Sequence, residues 1–363
     1  MTMNCLFRIM KILSENFMVT ENKERITEES IVKQAFLKAP FQVELREVEL
    51  PEIKEHEVLI SVKACGICGS DINTAQAASE YEPFGHELAG IVEAVGAAVR
   101  NVKPGDAVAM ESSSYCGNCS VCRNGHPELC RDGYVPPYHG FAEKIIVHHT
   151  AVVKCDAISM EEAAVVEPMG VAMDMVNVAD IQLNDHVVVY GAGPIALLAI
   201  RLAALRGAGK ITVLAHSHSK ARIALARYYG ADEVIFTDLM DPVEALKEQA
   251  VHRVLVTTPP ATLNDAVIFA SFGAVISMIG FAKTKEESMC TFDINAMHAK
   301  RLQLRFSFAS PALFFPQCID MIQKGLVDVK ALISHRYALE DMDAAMKICR
   351  DDKESVVKVL MVR

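Results

Sequence analysis

Tryptophan is absent from this 363-residue chain, and aromatic residues make up only 6% of it, so no stacking platform for nucleobases is on offer. Positive charge is in deficit as well. The 36 Lys and Arg against 46 Asp and Glu leave a formal charge of -10, and an acidic surface repels the phosphates of nucleic acid. No stretch approaches the roughly 20 uninterrupted apolar residues of a membrane span. The apolar start MTMNCLFRIMKILSENFM is broken by Arg8, Lys11 and Glu15 and is followed by no small-residue cleavage site. It reads as a loosely ordered leader, with Met18 as a second start, rather than as an export signal. These absences exclude nucleic acid and membrane as partners. They point to a cytoplasmic protein that deals with small molecules and with copies of itself.

What is there suits a large globular chain. Half the residues are apolar and 23% are charged, and the length allows two domains with separate cores. Eleven cysteines in a chain with no export signal favour metal over disulfide where they are grouped. Cys5, Cys155, Cys290, Cys318 and Cys349 are isolated and read as buried small hydrophobes.

The order of elements divides the chain. From about Ile31 to Val153 short β-rich runs follow one another: Phe41–Glu49, Glu57–Lys63, Leu88–Val95, Ala107–Met110 and Phe141–Val147. Turns at Pro51, Gly96, Pro104-Gly105 and Pro136-Pro137 separate them, which predicts a rolled-up β domain. Glu161–Val178 has a helical pattern. Strands are then expected at His186–Tyr190, Ile211–Leu214, Val234–Phe236, Arg253–Thr257, Ala274–Ile279 and Gln303–Phe306, alternating with helices at Pro194–Arg206 and Lys220–Tyr229. That alternation predicts an α/β, doubly wound parallel sheet. A helix near Pro316–Lys324 belongs to a mixed tail.

Gly191-Ala192-Gly193-Pro194-Ile195-Ala196 links a buried strand to an apolar helix. Glycines there let backbone approach a pyrophosphate, and the helix N-terminus offers free N–H groups. Such a loop alone is an ordinary tight turn; in this context it marks a dinucleotide site. About 20 residues on, a carboxylate usually holds the ribose diol. Here the chain reads AHSHSKAR, without an acid. Ser217, Ser219 and Lys220 are donors for a 2′-phosphate, with Arg222 beside them, so NADP is as consistent as NAD.

Cys116, Cys119, Cys122 and Cys130 fall within 15 residues. Four thiolates so close can close a tetrahedral zinc site with no open position, which is structural rather than catalytic; an iron–sulfur cluster is the alternative by count. A dispersed set, Cys65 and Cys68 in CGICGSD, His86-Glu87 in GHE, and Glu167-Pro168, offers the thiolate, imidazole and carboxylate of a catalytic zinc with one place left open.

In their order, GICGSD, GHE, the four-cysteine lobe, EP and GAGPI resemble the medium-chain, zinc-containing alcohol dehydrogenase superfamily, from roughly Glu44 to the C-terminus. Among its branches the polyol dehydrogenases (sorbitol, inositol and threonine types) are the most similar. The resemblance implies an N-terminal extension over 1–30, a GroES-like catalytic domain over 31–170, a Rossmann domain over 171–308, and a segment over 309–363 that returns to the catalytic domain. It implies Cys68, His86 and either Glu87 or Glu167 as zinc ligands, with Cys65 a bystander. It also implies Ser70 as the first step of a proton relay and Asp71 as a partner orienting His86. The reaction implied is hydride transfer between a secondary alcohol, a polyol or sugar derivative, and NAD or NADP, in a homodimer or homotetramer. Two departures stand out. Asn73 occupies a position where many members carry a relay histidine, and only 17 residues separate Cys68 from His86, which widens the pocket. An NADP-dependent simple-alcohol or amino-alcohol dehydrogenase is the second reading, and a catalytically silent, zinc-stapled binding protein the third. Intact Cys68, His86, Glu87, Glu167 and Ser70 speak against silence.

Overall fold

The computed structural model describes residues 30–282, 284–308 and 313–363. The expected extension over 1–30 therefore lies, except for Ser30, outside the described residues. Among the described residues no helix is long and apolar enough to cross a membrane.

The first body is built on two sheets. Strands β1 (Ile31–Lys38), β2 (Gln42–Glu49) and β4 (Glu82–Pro83) form a small antiparallel sheet. Strand β3 (Glu57–Gly66) is the spine of the larger one. Its Val58, Ile60, Val62 and Ala64 are all fully buried, the period-two signature of a strand with an apolar face. Around it lie β5 (Glu87–Val95), β6 (Ala107–Met110), β7 (Lys144–His148) and β8 (Val152–Lys154). Between β3 and β4 sits the short helix α1 (Gly69–Ala77).

The second body holds β9 (His186–Tyr190), β10 (Lys210–Ala215), β11 (Glu233–Phe236), β12 (Arg253–Val256), β13 (Val275–Met278) and β14 (Gln303–Phe306). These form one parallel sheet in the order β11-β10-β9-β12-β13-β14. Strand β9 is buried along its whole length, as a central strand covered on both faces must be. The order reverses beside it, and a ligand crevice belongs at that switch point, at the carboxyl ends of the strands.

The single helix expected over Glu161–Val178 is instead two, Met160–Ala163 and α2 (Val166–Ala179). Pro168 explains the break. A proline cannot donate to the residue four back and its ring clashes there, but in a first turn it is tolerated. The restart puts Glu167 in the first turn of α2, which also spans residue 170, the expected domain division. Helices α3 (Pro194–Leu205) and α4 (Lys220–Tyr229) cover the parallel sheet. At the C-terminal end, β15 (Ile333–Tyr337) runs parallel to β16 (Lys358–Val362), and β16 pairs antiparallel with β3, Met361 opposite Cys65.

Candidate functional site

Cys68 is the N-cap of α1. Its backbone N–H donates to Asp71 Oδ2 at 2.8 Å, completing a capping box, and the sulfur lies at the positive end of the helix dipole, a place that favours negative charge. Asp71, expected to orient His86, is tied to the backbone of Cys68 and interacts electrostatically with His86. His86 follows Gly85, whose φ of +97° and tight approach to the Phe141 ring only glycine accommodates. That bend leads the chain into β5. Cys68, His86 and Glu87 each present a ligand atom within 4.8 Å of the others. Tyr138 covers His86, ring centroids 4.8 Å apart, and donates its hydroxyl to Ser112 O at 3.0 Å.

Glu167 stands outside that 4.8 Å group but close by. It is buried and hydrogen-bonded to Ser112, and burial raises its carboxyl above the ordinary range. Cys65 is fully buried and takes no part in the group. Ser70 is exposed at the start of α1.

One residue of this site was not expected from the sequence. Lys358, at the start of β16, is 2% exposed and ion-paired with Glu87 Oε2, and its Nζ donates to Ile67 O at 2.9 Å. Burial alone would lower the lysine, yet Glu87, Cys68 and Glu167 together raise it. Burial likewise opposes charge on His86, and Cys68, Glu167 and Asp71 override it and raise the ring well above its usual value. That upward shift marks an excess of buried negative charge that a divalent cation would neutralise. A thiolate, an imidazole and a carboxylate brought within 4.8 Å of one another fit zinc.

The four cysteines of the lobe also converge. Cys119 Sγ lies 3.4 Å from Cys122 and 4.0 Å from Cys130, and Cys116 Sγ lies 4.0 Å from Cys122. A tetrahedron with zinc–sulfur bonds of about 2.3 Å has edges of roughly 3.8 Å. The backbone N–H groups of Cys119 and Asn118 donate to Cys116 Sγ at 3.3 and 3.4 Å and hold its thiol below the ordinary value. These four fit a closed zinc site.

The dinucleotide loop completes the picture. Gly191 has φ +111°, and a Cβ there would run into Thr257. Gly193 caps α3 with no side-chain bond, so the first N–H groups of that helix remain available to phosphate. One cleft of about 670 Å³ joins the two halves, lined by Cys68, Glu87 and Lys358 at one end, by Gly191, Gly193, Pro194 and Ile195 in the middle, and by His216, Ser219 and Arg222 at the other. Ser217 and Lys220 do not line it. Lys220 is exposed and ion-paired with Glu354 at 2.7 Å. Ser217 donates its N–H and hydroxyl to Asp238, at 2.8 and 2.5 Å. The sequence around Ser217 has no acid, but the loop after the neighbouring strand β11 brings one.

A metal cluster and a phosphate-cradling helix start facing one cleft define a class, the zinc-dependent, nicotinamide-linked oxidoreductases. Comparison with known proteins agrees. The family models described as Alcohol dehydrogenase GroES-like domain and Zinc-binding dehydrogenase match residues 54–157 and 194–324. L-idonate 5-dehydrogenase of Vitis vinifera is 31% identical over 81% of this chain and 84% of its own length. Sorbitol dehydrogenase of Bacillus subtilis (strain 168) is 30% identical over 91% and 97%. The crystal structure of an alcohol dehydrogenase from Escherichia coli CFT073 complexed with NADH superimposes with a TM-score of 0.83 at 28% identity, covering 92% of this chain and 100% of that one. The chain belongs to the zinc-containing medium-chain alcohol dehydrogenase family, and it is an oxidoreductase that transfers hydride between an alcohol and NAD(P).

Proposed function

We propose that the substrate is a secondary alcohol of the polyol or sugar-derived class, oxidised at a zinc held by Cys68, His86 and Glu87, with NAD as the preferred coenzyme. The observation that carries this reading is the single cleft in which Cys68 and Glu87 share walls with the 191–196 loop. Zinc held there would supply Lewis-acid polarisation of the substrate oxygen.

The chain's own residues set up the rest. The α3 N-terminus binds the pyrophosphate. Asp71 fixes the backbone of Cys68 and so positions its sulfur. Lys358 neutralises part of the charge that Glu87 and Glu167 bring into a buried space. Glu167, buried close to the group, is the alternate carboxylate ligand. Ser70 stands exposed on α1, where a proton can leave to water without a histidine at position 73. The acidic Asp238 beside Ser217 disfavours a 2′-phosphate, and this supports NAD. Thiolate ligands require reduced cysteine, which fits a cytoplasmic setting.

The assembly we infer is a homodimer formed at the β14 edge. That strand is the outermost of the parallel sheet, and Phe281, Phe306 and Phe308 around it are 73%, 67% and 65% exposed; an unprotected apolar strand edge invites pairing with another copy. The test of the substrate class is a panel of polyols, inositols, amino alcohols and simple alcohols, followed by absorbance of reduced coenzyme with NAD and with NADP. Polyols with NAD should lead by kcat/KM. Turnover confined to primary or amino alcohols would overturn the class.

A further inference from the structure

We propose that His56, His148 and His149 form a third divalent-metal site, one that takes zinc, copper(II) or nickel(II) through imidazole nitrogen. It shares no residue with the catalytic cluster or the cysteine lobe, and none of the three lines the cleft.

The backbone assembles it. β3 pairs antiparallel with β7 so that Glu57 faces His148, which sets His56, just before β3, against the end of β7. His149 N then donates to His56 O at 2.9 Å. The three rings lie together, with centroids 4.7 Å apart for His148 and His149 and 5.8 Å for each of these with His56. Each residue presents a ring nitrogen within 4.8 Å of the others, a spacing that a shared ion closes with small side-chain rotations.

Each ring has one nitrogen engaged by a neighbouring polar group. Asn101 Oδ1 lies 3.0 Å from His149 Nδ1, and because the Asn101 amide donates to His149 O at 2.8 Å, the oxygen is the end left to accept from the ring. Thr150 Oγ1 lies 2.9 Å from His148 Nδ1, which also accepts from the Thr150 N–H at 3.4 Å, and Glu55 Oε1 lies 3.3 Å from His56 Nε2. Outer oxygens of this kind fix the ring orientation of metal-binding histidines. Burial lowers His148 and His149 below the usual imidazole value, so both are neutral, the ligating form, at neutral pH. Three imidazoles gathered at the surface suit the borderline cations rather than calcium or magnesium, which take oxygen.

The position gives the site a consequence. Thr150 Oγ1 is 2.9 Å from Ser114 Oγ, Ser114 N donates to Tyr134 O at 2.8 Å, and the Tyr134 ring packs on His148 at 5.2 Å. Residues 114 and 134 flank the four-cysteine lobe. An ion on the three histidines therefore clamps the base of that lobe to the β domain.

The test starts from the holoenzyme, with both the catalytic cluster and the cysteine lobe loaded with zinc, titrated with Zn²⁺ alone and, separately, with Cu²⁺ alone at pH 7.5. One further equivalent should bind. Copper should give an electron paramagnetic resonance spectrum with nitrogen hyperfine structure, and each metal should raise the melting temperature. His56→Asn, on a side chain 49% exposed, should weaken that binding at least tenfold and abolish the thermal shift. His148→Gln should do the same, with catalytic turnover and the other zincs unchanged. No further equivalent, or equal binding by His56→Asn and the parent protein, would overturn the site. Should His148→Gln misfold, the His56→Asn comparison decides alone.

Discussion

Lys358 and Glu87 form an ion pair in which both side chains are 2% exposed, so a lysine from the last strand of the chain reaches the carboxylate next to His86. The pairing ties the C-terminal strand to the catalytic body at its most charged point. A buried ion pair is weak evidence for stability in itself, but removing one member strands the other. Lys358→Met should lower the stability by about 3–5 kcal/mol, whereas Lys358→Met combined with Glu87→Gln should recover much of that loss. Chemical denaturation of the two single variants and the double variant gives the coupling directly. Simple additivity of the two losses would mean that the pair does not act as a unit.

Asp238 holds Ser217 by two hydrogen bonds and places a carboxylate next to Thr237, a residue that lines the cleft. A 2′-phosphate placed there meets like charge. Asp238→Asn should therefore move the ratio of kcat/KM for NAD over NADP toward NADP by about tenfold or more, with little change in kcat for NAD. An unaltered ratio would remove Asp238 from coenzyme selection.

Glu111, at the end of β6, is 7% exposed, and burial pushes its carboxyl from 4.5 up to about 8. Between those two values the folded protein keeps a proton that the unfolded chain has released, so stability falls as pH rises through the window and levels off above it. Glu111→Gln should flatten that decline and leave the variant the more stable of the two at pH 8, as read from urea midpoints at several pH values. A parallel decline in both proteins would contradict the assignment.

Much of this molecule is legible in its sequence, and the exceptions share a cause. The 191–196 loop and the four cysteines are local patterns whose geometry follows from spacing alone, and β6, β9, β14 and α4 fall at the boundaries that apolar runs and terminal signals suggest. The dispersed set Cys68, His86 and Glu87 was recoverable because each element sits in a recognisable tripeptide or hexapeptide. Lys358 was not, since its partner Ile67 is 291 residues away and β16 shows no motif beyond an apolar run. Asp238 escaped for a similar reason: it belongs to β11's exit loop and meets Ser217 only because β10 and β11 are adjacent and parallel. Lys220 and Arg222 illustrate the limit of spacing arguments. Both start the same helix, yet one turns to Glu354 at the surface while the other lines the cleft and donates to Val356 O at 3.0 Å. The break before Pro168 was available from proline chemistry, although the helical period ran through it.

The central claim is that Cys68 holds a metal ion distinct from the one on the cysteine lobe, and zinc content tests it most directly. Elemental analysis of the purified protein and of Cys68→Ser and Cys119→Ser, dialysed side by side, counts ions per chain. Cys68→Ser should contain one zinc fewer than the parent, keep its far-ultraviolet circular dichroism and lose turnover by a thousandfold or more, in the range of lost metal catalysis. Cys119→Ser should lose a different zinc and melt at a markedly lower temperature. A Cys68→Ser protein with the same zinc content and undiminished turnover would contradict the account.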